Sequence, residues 1–486
     1  MKYLVIICMI SSALLGTEND MKEIQAIVLA AGKASRFKTG SSKLLEPICG
    51  QAMIVHVTQL LQQLHIPTIV IVGYQKEQII ETVTKSNPLN VTFVEQREQR
   101  GTGHAVLCSQ PAWNADNLLI INGDMPLISP SLITKLFERH QTTNATISFV
   151  IAHLQDPTGT AYGRVIQGKQ VEIVEDRDFS GDKSAPCFIN AGIYLIKRSF
   201  LEHAITTLRA SSVTAELYVT DLVKKASHQG LHVELVETPF DTIRGVNTLE
   251  ELWVAQQIIQ QQIIYHWMSN GVRFDNPAIT SVDAQVMLGA GTHLGAGVHI
   301  SGNSSIGKQC IVAPYSIINN SILDDNSVVL PHCVLDKAHI KSHASVGPFA
   351  HIQNSTIDDK TVIGNFVEIK RSHIGSDARV KHLSYLGDAQ VADEVNIGAG
   401  TITCNYDGYQ KHKTVIERGA HIGSLNALIA PLTIGQNSIT AAGSAITEDV
   451  PADSLAIARS RQTIKNGYAL KYRSRKSNQS SSTESV

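Results

Sequence analysis

From Val282 to Ile318 an aliphatic residue stands at every sixth position: Val282, Leu288, Leu294, Ile300, Ile306, Val312 and Ile318. The step returns at Ile357, Ile363 and Ile369, and again at Ile416, Ile422, Leu428 and Ile434, with Gly, Ala, Ser or Asn commonly following each aliphatic. An amphipathic helix repeats at about 3.6 residues and a half-buried strand at about 2, so a sustained six fits neither. A short strand, one inward side chain and a tight corner per hexad do fit. The pattern predicts a parallel β-helix whose stacked coils bury a column of aliphatics.

The first half of the chain alternates instead. Ile24–Leu29, Ile69–Gly73 and Leu118–Ile121 read as buried strands, with helix-like segments Met53–Leu64 and Ser131–His140 between them. This predicts a Rossmann-like α/β domain with a mainly parallel sheet, whose ligands gather at the carboxyl ends of the strands. The pattern runs to about Val246. Thr248, with Glu251 as its capping-box partner, opens a helix whose stripe is Leu252, Ile258, Ile259, Ile263 and Ile264; Asn270-Gly271 closes it. That helix is expected only to connect two domains. The hexads then run to about Arg459, and Lys471–Val486, rich in Ser, Lys and Arg, is expected to be disordered. The predicted division is a leader at 1–20, an α/β domain at 21–249, a linker helix at 250–270, a β-helix at 271–465 and a tail at 466–486.

A chain of 486 residues is too long for one core. Its 41 basic and 43 acidic residues balance, and no basic stripe argues for nucleic acid as a partner. Seven cysteines without CxxC spacing read as reduced thiols of a cytoplasmic protein rather than a disulfide framework or zinc site. Met1-Lys2 and the apolar Tyr3–Leu15 look like a short secretory signal or anchor, shorter than the ~20 residues of a membrane span. Met21-Lys22 offers a second start just before the first strand, and a misassigned start is the preferred reading; no stable membrane partner is expected.

Candidate chemistry sits in both halves. Leu29-Ala30-Ala31-Gly32-Lys33-Ala34-Ser35-Arg36-Phe37 ends a strand in small residues, so that backbone N–H groups can approach phosphate oxygens, and Arg36 and Lys43 would compensate a triphosphate. Gln96-Arg97-Glu98-Gln99-Arg100-Gly101-Thr102-Gly103-His104 offers amides to a nucleobase edge. Asn122-Gly123-Asp124 puts a carboxylate at a strand end, suited to Mg²⁺. In the second half, Lys381-His382-Leu383-Ser384-Tyr385-Leu386-Gly387-Asp388 breaks the hexads with a His. Asn396-Ile397-Gly398-Ala399-Gly400-Thr401 followed by Asn405-Tyr406-Asp407-Gly408 reads as a loop leaving the coil. Attack of an amine on a thioester needs a base of near-neutral pKa, which His supplies, and the tetrahedral oxyanion needs fixed N–H donors. Taken singly these residues have plainer readings: Asp124 as a helix cap, Asn190 as a turn, His382 as one of nineteen histidines, Arg459 as a solvated charge.

Together these motifs resemble the bacterial family of bifunctional N-acetylglucosamine-1-phosphate uridyltransferase/glucosamine-1-phosphate acetyltransferases, from Met21 to about Lys465. The resemblance implies UTP contacts at Leu29, Ala30, Ala31, Gly32, Lys43, Gln96, Gly101 and Thr102, with Arg36 and Lys43 offsetting phosphate charge. It implies Mg²⁺ ligands at Asp124 and Asn247, and sugar contacts at Gly163, Glu175 and Asn190. Glu216-Leu217-Tyr218-Val219-Thr220-Asp221 matches a further family element. For the acetyl half it implies His382 as base and Lys370, Tyr385, Asn396 and Lys411 as amino-sugar contacts. Acetyl-CoA is expected at Ala399, Asn405, Tyr406, Ser424, Ala442 and Arg459. A homotrimer, with each acetyl site built from neighbouring β-helices, is implied as well.

The chain departs from the family at Ala34 (usually Gly), Ser42 (usually Pro) and Asn122 (usually Tyr), none of which removes a charge or metal ligand. One further departure is chemical: Gln353 stands where the family has an arginine that helps bind the sugar phosphate. Loss of one charge-assisted contact costs about 1.5–3 kcal/mol. Three readings follow: a two-site enzyme making UDP-N-acetylglucosamine; a uridyltransferase whose β-helix serves trimerisation or regulation; and a nucleotide-sensing subunit. The full set Arg36, Lys43, Asp124 and Asn247 argues against the last.

Overall fold

The computed structural model describes residues 20–33, 37, 40–86, 90–158, 160 and 162–480. Arg36, Ala34 and residues 1–19 of the expected leader lie outside them. The chain separates into two compact units. One comprises the residues up to Ala290 with His299–Ser305; the other comprises Gly291–Val298 and Ile306 onwards.

The first unit is built on a mixed sheet. Its strands lie in the order Val233–Glu237, Ile147–Leu154, Cys187–Lys197, Asn117–Asn122, Ile24–Ala30, Thr68–Val72 and Val91–Glu95. Ile24–Ala30 pairs in parallel with both its neighbours, and Cys187–Lys197 runs antiparallel to both of its own. The mainly parallel expectation thus holds except at this strand, which the uniform aliphatic runs could not distinguish, and at the antiparallel pair Arg164–Gln167 and Val171–Val174 beside it. Alternate side chains feed opposite cores: Ala26, Val28 and Ala30 on one face, Ile27 on the other. Met53–Gln63, Lys76–Ser86 and Pro130–Thr142 cover the first face, and Thr102–Cys108, Arg198–Ala204 and Asp221–His228 the second.

Helix Leu249–Ser269 carries the predicted capping box: the Thr248 side chain accepts from the Glu251 amide, and Glu251 returns the bond. Gln260 on this helix meets Ser281 and Val282, while Ala284 N–H donates to Cys49 C=O at 2.9 Å. These ties place the first hexads with the α/β unit, so the division falls later than the boundary expected at 271.

In the second unit three short strands and three corners make each coil of a left-handed parallel β-helix. Every aliphatic of the predicted ladder is buried. The apparent gap between Ile318 and Ile357 is filled by Leu323, Val329, Leu335, Ile340, Val346 and Ile352, all buried as well. One step in three there is five residues instead of six. Ile317 therefore pairs with Val334, Val334 with His351, His351 with Glu368 and Glu368 with Tyr385, a coil of 17 residues. The corners use single residues of positive φ, including His332, Phe349, Phe366 and Leu383. Tyr315, His332, Phe349 and Phe366 stack along one edge with centroids 5.0–5.4 Å apart.

The expected disordered tail is instead helical over Tyr468–Ser480 and exposed at every residue from 468 to 476. Ala, Leu, Lys and Arg without an intervening Gly or Pro favour helix even where nothing is buried. The six described cysteines are free thiols, and among the described residues no helix is long and apolar enough to cross a membrane.

Candidate active sites

Leu29, Ala30, Ala31 and Gly32 lie at the carboxyl end of the central strand, where Leu29 faces Asn122 across the sheet. The Leu29 carbonyl accepts from Gly123 N–H at 3.0 Å, which sets Asp124 beside the loop. Lys43 reaches the same place. Its Nζ donates to Asp124 Oδ2 at 2.5 Å and to Asn247 Oδ1 at 2.7 Å, so both expected metal ligands converge on one cation. Asn247 is held from the helix side, its N–H donating to Glu251 Oε2 at 2.6 Å, while Val246 N–H donates to the Asp124 carbonyl at 2.9 Å. The capping box of the connecting helix therefore positions a candidate ligand, a role beyond the purely connecting one expected. One carboxylate and one amide oxygen are hard oxygen donors that suit a divalent cation. Among the described residues no group of three or more His, Cys, Asp or Glu side chains could hold an ion.

Gln96, Gly101 and Thr102 come together at a helix start. Gln96 Nε2 donates to Gly101 C=O at 3.1 Å and lies 3.1 Å from His104 Nδ1. Gly101 has φ +99°, and a Cβ there would lie 2.5 Å from the Leu217 carbonyl. Leu217 C=O accepts from Gly103 N–H at 2.7 Å, and Val219 N–H donates to Thr102 Oγ1 at 3.1 Å. The segment Glu216–Asp221 thus acts as a buttress beneath the loop.

Glu175, Gly163 and Asn190 form the third group. Asn190 N–H donates to Gly163 C=O at 2.8 Å and its Nδ2 to Tyr194 Oη at 2.6 Å. Thr220 Oγ1 donates to Glu175 Oε1 at 2.8 Å; burial nevertheless raises the Glu175 carboxyl above its usual range, the Thr220 bond opposing. Tyr162, not singled out by its motif position, accepts from Gly245 N–H at 2.7 Å, and its burial pushes the phenol up to about 12.

In the β-helix the register of successive coils collects His382, Ala399, Ser424 and Ala442 in one column. Asn396 pairs with Arg379 and with His421, and His421 with Ile439. Three residues on from these, His382, Ala399, Ser424 and Ala442 occupy equivalent places before one corner. Hydrogen bonds tie the line: Gly400 N–H to His382 C=O (3.2 Å), Leu425 N–H to Ala399 C=O (2.7 Å), Gly443 N–H to Ser424 C=O (2.8 Å), and Arg459 Nη1 to Ala442 C=O (2.9 Å). Gly398 and Gly423 allow the close stacking, since a Cβ on either would meet backbone atoms at 2.5 Å.

The adjoining sheet carries Tyr385 and Lys370 of the expected amino-sugar contacts. Tyr385 stands at its entry, in register with Glu368, and Lys370 at its exit, between Gln353 and Gly387. Gln353 Nε2 donates to Asp336 Oδ2 at 3.3 Å, and its buried Oε1 has no hydrogen-bond partner among the described residues. Between Ile402 and its partner Ala427 the chain inserts the predicted loop. There Asp407 accepts from the N–H groups of Tyr409 and Gln410 and pairs with His412, while Tyr406 bridges to Lys411. Asn405 anchors the loop by donating to Asp388, which Arg371 grips with two bonds of 2.7 and 2.8 Å. The Arg371 bonds hold the Asp388 carboxyl below its usual range. The pairing of Arg371 with Asp388 and of Gln353 with Asp336 escaped the sequence because only stacking brings residues 17 apart into contact.

A model of the MobA-like NTP transferase domain matches residues 26–178. Three relatives carrying the name bifunctional protein GlmU cover nearly the whole chain. That of Shouchella clausii is 37% identical over 92% of this chain and 98% of its own length. That of Exiguobacterium sibiricum is 39% identical over 91% and 99%, and that of Geobacter sulfurreducens 36% identical over 93% and 100%.

Proposed function

The chain belongs to the GlmU family of bifunctional proteins, and from that premise we infer that it makes UDP-N-acetylglucosamine in two steps. The β-helix unit transfers acetyl from acetyl-CoA to glucosamine 1-phosphate. The α/β unit then transfers uridylyl from UTP to N-acetylglucosamine 1-phosphate and releases pyrophosphate. The product is a precursor of peptidoglycan and lipopolysaccharide. In this reading the protein works in the cytoplasm as a homotrimer whose acetyl sites draw on neighbouring β-helices.

In the acetyl step the sugar amine attacks the thioester carbonyl and His382 takes the amine proton; as the C–S bond breaks, His382 returns that proton to the sulfur and the coenzyme departs as the thiol. Tyr385, Asn396 and Lys370 orient the sugar phosphate, and the coenzyme follows the line Ala399, Ser424, Ala442 and Arg459, with Asn405 and Tyr406 beside it. In the uridylyl step a sugar-phosphate oxygen attacks the α-phosphorus in line with departing pyrophosphate, so positioning and charge dominate. Asp124 and Asn247 would hold Mg²⁺, which when bound offsets phosphate charge. Arg36 and Lys43 add cationic compensation. Gln96 and Gly101 face the base, while Gly163, Glu175 and Asn190 face the sugar.

The observation that supports this reading most is the single column joining His382 to the Ala399–Ser424–Ala442 line. Gln353, engaged with Asp336 in place of an arginine, favours a narrower second reading in which only uridylyl transfer survives. Thiol release from acetyl-CoA with glucosamine 1-phosphate decides between them. Turnover that disappears in His382→Ala is expected; no turnover in the wild-type chain, with pyrophosphate still released from UTP and N-acetylglucosamine 1-phosphate, selects the narrower reading.

A further inference from the structure

The column that holds His382 begins one coil earlier, at Asn365. The two residues are register partners on Val362–Asn365 and Arg379–His382, each four residues long where most β-helix strands have two or three. Gly364 makes this extension possible: a Cβ there would lie 1.9 Å from the Lys381 carbonyl oxygen, so any other residue would push the two strands apart where they carry Asn365 and His382. Both residues directly precede left-handed corners, Phe366 at φ 57° and Leu383 at φ 51°, which fixes where their side chains leave the coil.

Asn365 Oδ1 lies 2.9 Å from His382 Nδ1. An amide oxygen only accepts, so Nδ1 carries the proton and donates, and Nε2 keeps its lone pair. The strands stacked against that of His382, Val362–Asn365 and Asn396–Ile397, contribute no ionisable side chain; Arg379 and Lys381 stand on its own strand. No carboxylate on those strands does the orienting that an acid performs in a Ser-His-Asp arrangement.

We propose that Asn365 is the positioning residue of the acetyl transfer, a neutral orienter that selects the His382 tautomer with Nε2 free to accept the amine proton. The inference rests on the acetyltransferase reading above.

The experiment compares wild type, Asn365→Ala and Asn365→Asp in the full chain by thiol release across pH, with pyrophosphate release in the α/β unit as the control for folding. Asn365→Ala is expected to lower kcat about 10- to 100-fold with the KM for acetyl-CoA little changed. Asn365→Asp is expected to retain more activity than the alanine variant and to move the acid limb of kcat/KM up by about one pH unit, because an anion beside the imidazole favours its protonated form. A purely structural role would lower thiol release alike in both variants, with no advantage of the aspartate over the alanine. Variants matching wild type in kcat and in pH profile overturn the positioning role alone. Wild type without thiol release overturns the acetyltransferase reading and the positioning role with it.

Discussion

The ammonium of Lys43 lies 2.5 Å from the Asp124 carboxylate and also reaches Asn247, so one cation ties a strand end to the start of a helix more than a hundred residues later. Lys43→Ala removes both this tie and the charge offered to the triphosphate. Uridylyl transfer should fall by at least about 100-fold, in line with the ~2.7–4 kcal/mol lost with one transition-state donor, while thiol release in the β-helix unit stays at the wild-type rate. Parallel assays of pyrophosphate and thiol check this. A fall in both would mean general misfolding, and a pyrophosphate rate within fivefold of wild type would remove Lys43 from the chemistry.

Gly101 combines a left-handed backbone with a carbonyl at its missing Cβ. Gly101→Ala should cost about 1–3 kcal/mol at that turn and displace Gln96 and Thr102 with it. The KM for UTP should rise well before the unfolding temperature of the β-helix changes. Steady-state kinetics with calorimetry separate the two, and an unchanged KM would show that the turn does not shape the nucleotide pocket.

Gln353→Arg restores a cation beside Lys370. Asp336, already bonded to Gln353, stands within reach of the new guanidinium and would absorb part of its charge. The KM for glucosamine 1-phosphate should therefore fall by less than the roughly 10- to 150-fold that a free charge-assisted contact provides. Asp336→Asn in the same background should release the remainder. No response in either variant would place the sugar phosphate elsewhere.

The Arg371–Asp388–Asn405 link fastens the loop at 405–412 to the coils. Because Arg371 lowers the Asp388 carboxyl pKa in the folded chain, the link's stabilisation is fully present above the ordinary carboxylate value of about 3.9 and is lost as pH falls through the lower folded value. Asp388→Asn should lower stability by about 1–3 kcal/mol at neutral pH. The difference from wild type should shrink only below about pH 4. Paired melting curves from acid to neutral pH test this. A constant gap across the range would assign the effect to something other than the carboxylate charge.

The architecture was legible because an inward aliphatic every sixth residue has one economical explanation. The places where strict counting failed are instructive. Between Ile318 and Ile357 a five-residue step hides the ladder from any fixed period, although Leu323, Val329 and Leu335 are as buried as their neighbours. The candidate residues were legible as motifs, but their neighbours were not. Asn365 touches His382 only because a coil closes in 17 residues, and Glu251 meets Asn247 only because a capping box starts there. The antiparallel strand Cys187–Lys197 escaped for another reason: strand direction leaves no trace in a run buried on both faces.

The 17-residue coil also sets how this half of the chain can change length. Loss of a single residue within a strand would turn every inward side chain outward until the next corner and slide the His382 column off the coenzyme line. Excision of one complete coil ahead of Tyr315 would leave every later rung in phase, shortening the prism without disturbing its alignment. The loop at 405–412 marks where length is added without loss of register, because it leaves the coil at a corner and returns with the pairing of Ile402 to Ala427 intact. The β-helix is thus a ruler graduated in coils, and its two cheap edits are whole graduations and corner loops.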